Sequence, residues 1–186
     1  MAWQDDLLDI SHWALQSVDL RHRYLRADKP EDLSCCPGVD TCIETVVVLA
    51  IYEAAIGKGY NRSSNTIEYE KPYPAEGGGN PQRADLAFKE PGKGQNWGYV
   101  EVKKYDGNGK AKIASDICKL KTIDKRSHRW ILAYRVRLAE GKAKPLHDIL
   151  KKNFAKELEI HDSREFITFT SSWEKGICDI SIAKVK

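Results

Sequence analysis

Apolar residues recur along this chain with two different periods, and the change from one to the other predicts most of its elements. Over residues 3–26, Trp3, Leu7, Ile10 and Ala14 follow helical spacing, with Trp13, Val18, Leu20 and Leu25 adding apolar content. That pattern predicts an amphipathic helix. It closes on Arg21-His22-Arg23-Tyr24-Leu25-Arg26, a basic run that suits either a DNA contact or the charged edge of a packing helix. Residues 28–40, with two prolines and a glycine, read as a loop. A second helix is predicted over 41–57, where Glu44, Val48, Ile51 and Ala55 share one stripe before Gly57 and Gly59.

Period two then takes over. Residues 66–71, 83–89 and 97–104 predict strands. Lys89 to Asn96, dense in glycine with one proline, predicts a hairpin-type connection, and the glycine-rich stretch from Pro72 to Pro81 predicts a loop. Helical spacing returns over 110–124 through Ile113, Ile117 and Leu120. A strand follows over 129–136, a helix over 145–158, and a strand pair over 165–171 and 177–183. The order helix, three strands, helix, strand predicts an α/β fold with a central mixed sheet flanked by helices and an extra N-terminal helix.

The strands carry the candidate chemistry. Alternation puts Val100 and Val102 on one face of their strand and Tyr99, Glu101 and Lys103 on the other, which is expected to open onto a cleft. In the preceding strand Asp85 points away from Leu86 and Phe88, together with Arg83 and Ala87. An antiparallel hairpin would bring Asp85 close to Glu101, with Lys103 on the same side. Two carboxylates suit a hard divalent cation such as Mg²⁺, which usually keeps several waters beside one or two protein oxygens. An adjacent ammonium would orient a water or stabilise a charged phosphate. A carboxylate at the start of the inward stripe, Glu44, is the candidate third acid, with Glu53 as its competitor.

The set Asp85, then Glu101-Val102-Lys103, behind a helix bearing an acid, resembles the PD-(D/E)xK, restriction-endonuclease-like nuclease superfamily. The Pro-Asp dipeptide of its motif is absent: Ala84 precedes Asp85, and Pro81 lies four residues before it. The resemblance covers residues 40–137. It implies a restriction-endonuclease-like fold and a Mg²⁺-dependent hydrolase that cuts DNA to 5′-phosphate and 3′-hydroxyl ends. The implied metal ligands are Asp85, Glu101 and Glu44, with Lys103 catalytic. Lys119, in the helix after the Glu-Val-Lys strand, is implied to approach the backbone phosphate, and Lys104 and Arg83 are the other candidate DNA contacts.

Composition agrees with a nucleic-acid partner in one respect. The net charge is only +3, but residues 102–156 hold 16 Lys or Arg against 5 Asp or Glu, whereas residues 1–101 hold 10 against 16. A basic segment starting inside the candidate site is the expected footprint of a phosphate-contacting surface. A solvated, lysine-rich helix surface would read the same way. The 186 residues suit a single domain: an N-terminal helical extension and loop (1–40), a catalytic core (41–137), and a C-terminal helix and strand pair (138–186). The longest apolar run, Val46–Ile51, is too short to span a bilayer, and the acidic start lacks a signal-peptide core. Cys35, Cys36, Cys42, Cys118 and Cys178 lack the paired spacing of a zinc site and read as free thiols in a reducing cytoplasm.

No stretch stands apart as a DNA-reading module. The size and layout are similar to the small, cleavage-only subunits of heterodimeric type IIS restriction endonucleases, which implies a larger endonuclease subunit as partner for site recognition. The alternatives are a self-sufficient homodimeric restriction or repair nuclease, with the N-terminal helix as dimer seam, and a catalytically inactive nuclease fold kept for binding.

Overall fold

The computed structural model describes residues 3–27, 29, 31, 36–62, 65–73, 82–89, 97–124 and 127–186. Helix α1 runs Trp3–Arg26, α2 Glu44–Gly57, α3 Gly109–Lys121 and α4 Leu146–Asn153. The strands are β1 Asn61–Arg62, β2 Asn65–Tyr73, β3 Gln82–Lys89, β4 Trp97–Lys104, β5 His128–Leu138, β6 Leu158–Phe169 and β7 Lys175–Val185. They form one mixed sheet in the order β1-β2-β3-β4-β5-β7-β6. Among them β4 and β5 pair in parallel, in register Gly98↔His128 to Lys104↔Tyr134, with α3 as the crossover, and the other pairs are antiparallel.

The alternation read from sequence sorts side chains into two cores, one on each face of the sheet. Leu86, Phe88, Val100, Val102, Leu132 and Ile180 pack against α1 and α2. Ala87, Tyr99, Ile131, Ala133 and Ala183 pack against α3 and α4. A sheet covered on both faces has no polar side. The expectation that the Tyr99/Glu101/Lys103 face opens onto a cleft is therefore corrected: α3 covers it, Tyr99 is buried, and Glu101 is 1% exposed. Lys103, at the strand's end, stays half-buried.

Helix α1 has the predicted span, with Asp5 and Asp6 in its first turn and Arg23 and Arg26 in its last, the charge order a helix dipole favours. It lies on the sheet because Gly98 leaves room: a Cβ there would sit 2.3 Å from the Trp3 ring. Trp3 stacks on Phe88 at 5.2 Å and meets Trp130 edge-on. Trp13, Leu20 and Leu25, counted above toward the apolar content, are exposed instead. Arg23 turns inward to the buried Asp19, at 3.6 Å, and over the Phe169 ring.

Several boundaries differ from expectation. Helix α2 begins at Glu44 rather than 41, because Val39–Thr41 forms a separate 3-10 turn and Ile43 is extended. Helix α4 stops at Asn153 rather than 158: Phe154 breaks helical geometry, and Leu158 opens β6 with its side chain in the core. Strands β6 and β7 are longer than the 165–171 and 177–183 read from sequence, since the polar residues of 158–165 pair with β7 at the sheet edge. The hairpin connection 90–96 and most of the Pro72–Pro81 loop lie outside the described residues. Cys36, Cys42, Cys118 and Cys178 form no disulfide, and Cys35 lies outside the described residues. No described helix is long and apolar enough to cross a membrane.

Candidate functional site

Asp85, Glu101, Lys103 and Glu44 converge where β3, the C-terminal end of β4 and the start of α2 meet. The break in sheet pairing explains the position of Asp85. Strand β3 pairs with β4 from Lys89↔Trp97 to Leu86↔Val100. One step further, the Asp85 carboxylate accepts the Val102 N–H at 2.7 Å. On the other side, β2 and β3 pair through Tyr69↔Leu86 and again from Lys71↔Ala84, passing over Glu70 and Asp85. Glu70 has φ +47°, in the left-handed region that non-glycine residues seldom adopt. The irregularity lies directly opposite Asp85, and backbone departures of this kind gather at functional sites.

Glu44 occupies the first turn of α2, near the positive end of its dipole, and no side chain caps that terminus. Its carboxylate binds β4 twice: Lys103 Nζ donates to Oε1 at 3.2 Å and the Lys104 N–H donates to Oε2 at 2.9 Å. Glu53, the competitor, is exposed on the groove between α1 and α2 and takes no part in the cluster.

Sequence reading missed Asp116. It is buried on α3, with Oδ2 3.6 Å from Lys103 Nζ and lacking a hydrogen bond. The signal was available: Asp116 lies between the apolar positions Ile113 and Ile117 and Leu120, so its side chain had to face the sheet. Tyr73, buried beside Glu101 and Asp116, was also missed. Its hydroxyl bonds Gln82 Oε1 at 3.0 Å, and burial with those two carboxylates pushes its pKa up.

The electrostatics follow from four carboxylates facing two ammoniums. Burial, reinforced by Asp85, pushes the Glu101 carboxyl up to about 8, although Lys119 bonds it directly and pulls the other way. Asp116 is raised by burial against the opposing charges of Lys103 and Lys119. Burial works against charge on Lys103, but Asp116, Asp85 and Glu44 outweigh it and raise its pKa. At neutral pH Lys103 is therefore a fixed cation and Glu101 tends to hold a proton.

The remaining candidates are spread around this cluster. Lys119 pairs with Glu101 inside it. Lys104 turns to Asp40 of the 3-10 turn, 3.2 Å away, and ties β4 to that turn. Arg83 is exposed and pairs with Glu70 at 3.3 Å. Lys110, Lys112 and Lys121 are exposed along α3.

Among the described residues no three His, Cys, Asp or Glu side chains are gathered closely enough to hold a metal ion. The donors still suit one. All are hard oxygens, the carboxylates outnumber the ammoniums, and the Asp116 oxygen without a hydrogen bond is the sort of buried acceptor a cation would satisfy. No protein-family model, curated protein or solved structure matches the chain. Any functional reading therefore rests on the site itself.

Proposed function

We propose that this chain is a Mg²⁺-dependent DNA endonuclease with a restriction-endonuclease-like fold. One observation carries the reading: Glu44 and Asp116 flank the Lys103 ammonium, and Asp85 and Glu101, on adjacent strands, lie beside it. A structural ion pair needs one acid per base, and here four carboxylates, two of them buried and two half-buried, face two ammoniums, an excess of negative charge that a cation would balance. The parallel β4–α3–β5 crossover within an otherwise antiparallel sheet supports the fold assignment.

Asp85, Glu101 and Glu44 would hold Mg²⁺, which when bound acidifies a water and draws charge from phosphate oxygens. Lys103 cannot act as a base while it keeps its proton, so its part is to donate hydrogen bonds and stabilise the charge that builds on the phosphate. Lys119 pairs with Glu101 and, if a cation took its place there, would be free to turn toward a backbone phosphate. The exposed lysines of α3 supply sequence-independent contacts to DNA. The free thiols suit a reducing compartment such as the cytoplasm.

No described element stands apart as a DNA reader, which supports a larger endonuclease subunit as the source of site recognition. The exposed flank of α1 favours a second reading, a nuclease that pairs with itself.

The test is plasmid cleavage with Mg²⁺ or EDTA, alongside melting of the protein in both. Expected are Mg²⁺-dependent nicks, few for the chain alone, lost in Asp85→Asn and Lys103→Met, and a Mg²⁺-induced rise in Tm lost in Asp85→Asn. Nicking that survives both substitutions, or a Tm indifferent to Mg²⁺, refutes the proposal.

A further inference from the structure

The two ammoniums of the cluster are held differently. Lys103 belongs to β4 itself and lies between Glu44, at 3.2 Å, and Asp116, at 3.6 Å, with its side chain 17% exposed. Lys119 reaches in from α3, where Lys112, Asp116 and Lys119 follow i, i+4 and i+7 spacing and share one side of the helix. Its ammonium has one partner among the described residues, the Glu101 carboxylate, and its side chain is 27% exposed. Glu101 depends on that lysine in turn. The acid is 1% exposed, and Lys119 is the one described group that bonds its carboxylate.

Glu101 is also a proposed cation ligand. A divalent ion held between Asp85 and Glu101 would need the carboxylate oxygen that Lys119 now takes. In this state no three acids are gathered closely enough to form a cation cage. With all four carboxylates ionised, the two ammoniums leave two negative charges unbalanced, and replacing the Lys119 ammonium by a divalent ion leaves one. Exchange therefore relieves a repulsion that burial makes costly. Lys119 can leave without unpacking its helix, because α3 is fixed to the sheet by the buried Ile113, Ile117 and Leu120. Its ammonium rides on a flexible four-carbon stem, and Lys110, Lys112 and Lys121 already lie exposed on the same helix.

We propose that Lys119 stands in for the metal: in the metal-free protein its ammonium occupies the cation's place on Glu101, and a divalent cation enters by displacing it toward solvent. The inference rests on the reading of Asp85 and Glu101 as cation ligands. A tethered ammonium competes as an intramolecular ligand, so the site loads only above a cation threshold higher than its carboxylates alone would set. Loading then adds the freed ammonium to the exposed lysines of α3, where it can meet a phosphate.

Two measurements on the full chain test the exchange. Calorimetric titration with Mg²⁺ at about pH 8.5, where a proton on Glu101 competes least, is expected to show Lys119→Gln binding roughly tenfold tighter than wild type, Lys119→Arg no tighter, and Asp85→Asn not at all. Acylation of amines in the wild-type chain, read residue by residue by mass spectrometry, is expected to label Lys119 several-fold faster in saturating Mg²⁺ than in EDTA. Lys110 and Lys121 are expected to react at the same rate in both, and circular dichroism checks the fold of each variant. Where Mg²⁺ binds wild type and is lost in Asp85→Asn, unchanged Lys119 labelling or a Lys119→Gln chain that binds no tighter overturns this inference alone. Mg²⁺ binding that survives Asp85→Asn, or that is absent from wild type and Lys119→Gln alike, overturns the reading of the site and the inference with it.

Discussion

Glu101→Gln should stabilise the metal-free protein, and by an amount that grows with pH. In the folded chain the Glu101 carboxyl titrates near 8, against an ordinary value of 4.5. Between those values the folded state holds a proton that the unfolded state has released, so wild-type stability falls as pH rises. Below 4.5 both states are protonated and nothing is lost; above 8 both are ionised and the loss is complete. The slope is ~1.4 kcal/mol per pH unit, which gives on the order of 3 kcal/mol by pH 7. Glutamine fills the same space, keeps an oxygen acceptor for Lys119 and cannot ionise. Urea unfolding of both proteins in EDTA at pH 5, 6, 7 and 8 measures the difference. The gap should widen steadily across that range and level off above it. Saturating Mg²⁺ should narrow it, because a cation bound to wild type compensates the buried charge. Parallel stability curves in EDTA would refute the electrostatic account of the cluster.

Other substitutions separate structure from chemistry. Asp85→Asn keeps an acceptor for the Val102 N–H and should stay within ~1 kcal/mol of wild-type stability in urea, whereas Asp85→Ala orphans that N–H and should cost ~1–3 kcal/mol; both should lose plasmid cleavage. Glu44→Gln should reduce cleavage at least tenfold while Glu53→Gln leaves the rate unchanged, and equal effects would move the third acid away from the start of α2. Gly98→Ala drives a methyl into the Trp3 ring and should lower stability by ~1–3 kcal/mol in thermal melts, and a neutral result would mean that α1 does not rest on β4 as described.

The helices and strands that position the site were legible because both periods are strong: α1 keeps its predicted span, and β3 and β4 come within a residue of theirs. The cluster was partly legible. Asp85, Glu101 and Lys103 follow from strand alternation, and Glu44 from the inward stripe of α2. Alternation alone could not say that a helix covers the Glu101 face, because that depends on where the β4–β5 crossover lies. The place of Asp116 on the inward stripe of α3 was legible, but its approach to Lys103 and the Lys119–Glu101 pair were not: both join residues of α3 to β4, and local periodicity carries no information about packing across layers. The ends of α4 and β6 were misread because the edge strand is polar on its outer face and lacks the hydrophobic alternation of an interior strand.

The anchoring of α1 has a consequence for how the chain is made. Asp19 of this helix bonds Thr168 of β6, a separation of 149 residues. Its other buried supports, Phe88 and Trp130, also lie far downstream. During synthesis α1 leaves the ribosome well before the strands it rests on. Leu7, Leu8 and Leu15, all fully buried in the finished protein, have only α2 and the 3-10 turn to pack against until β5, β7 and β6 have assembled. Contacts of such long range slow folding. Over that interval the nascent chain presents an incompletely covered amphipathic helix, the kind of segment that chaperones retain.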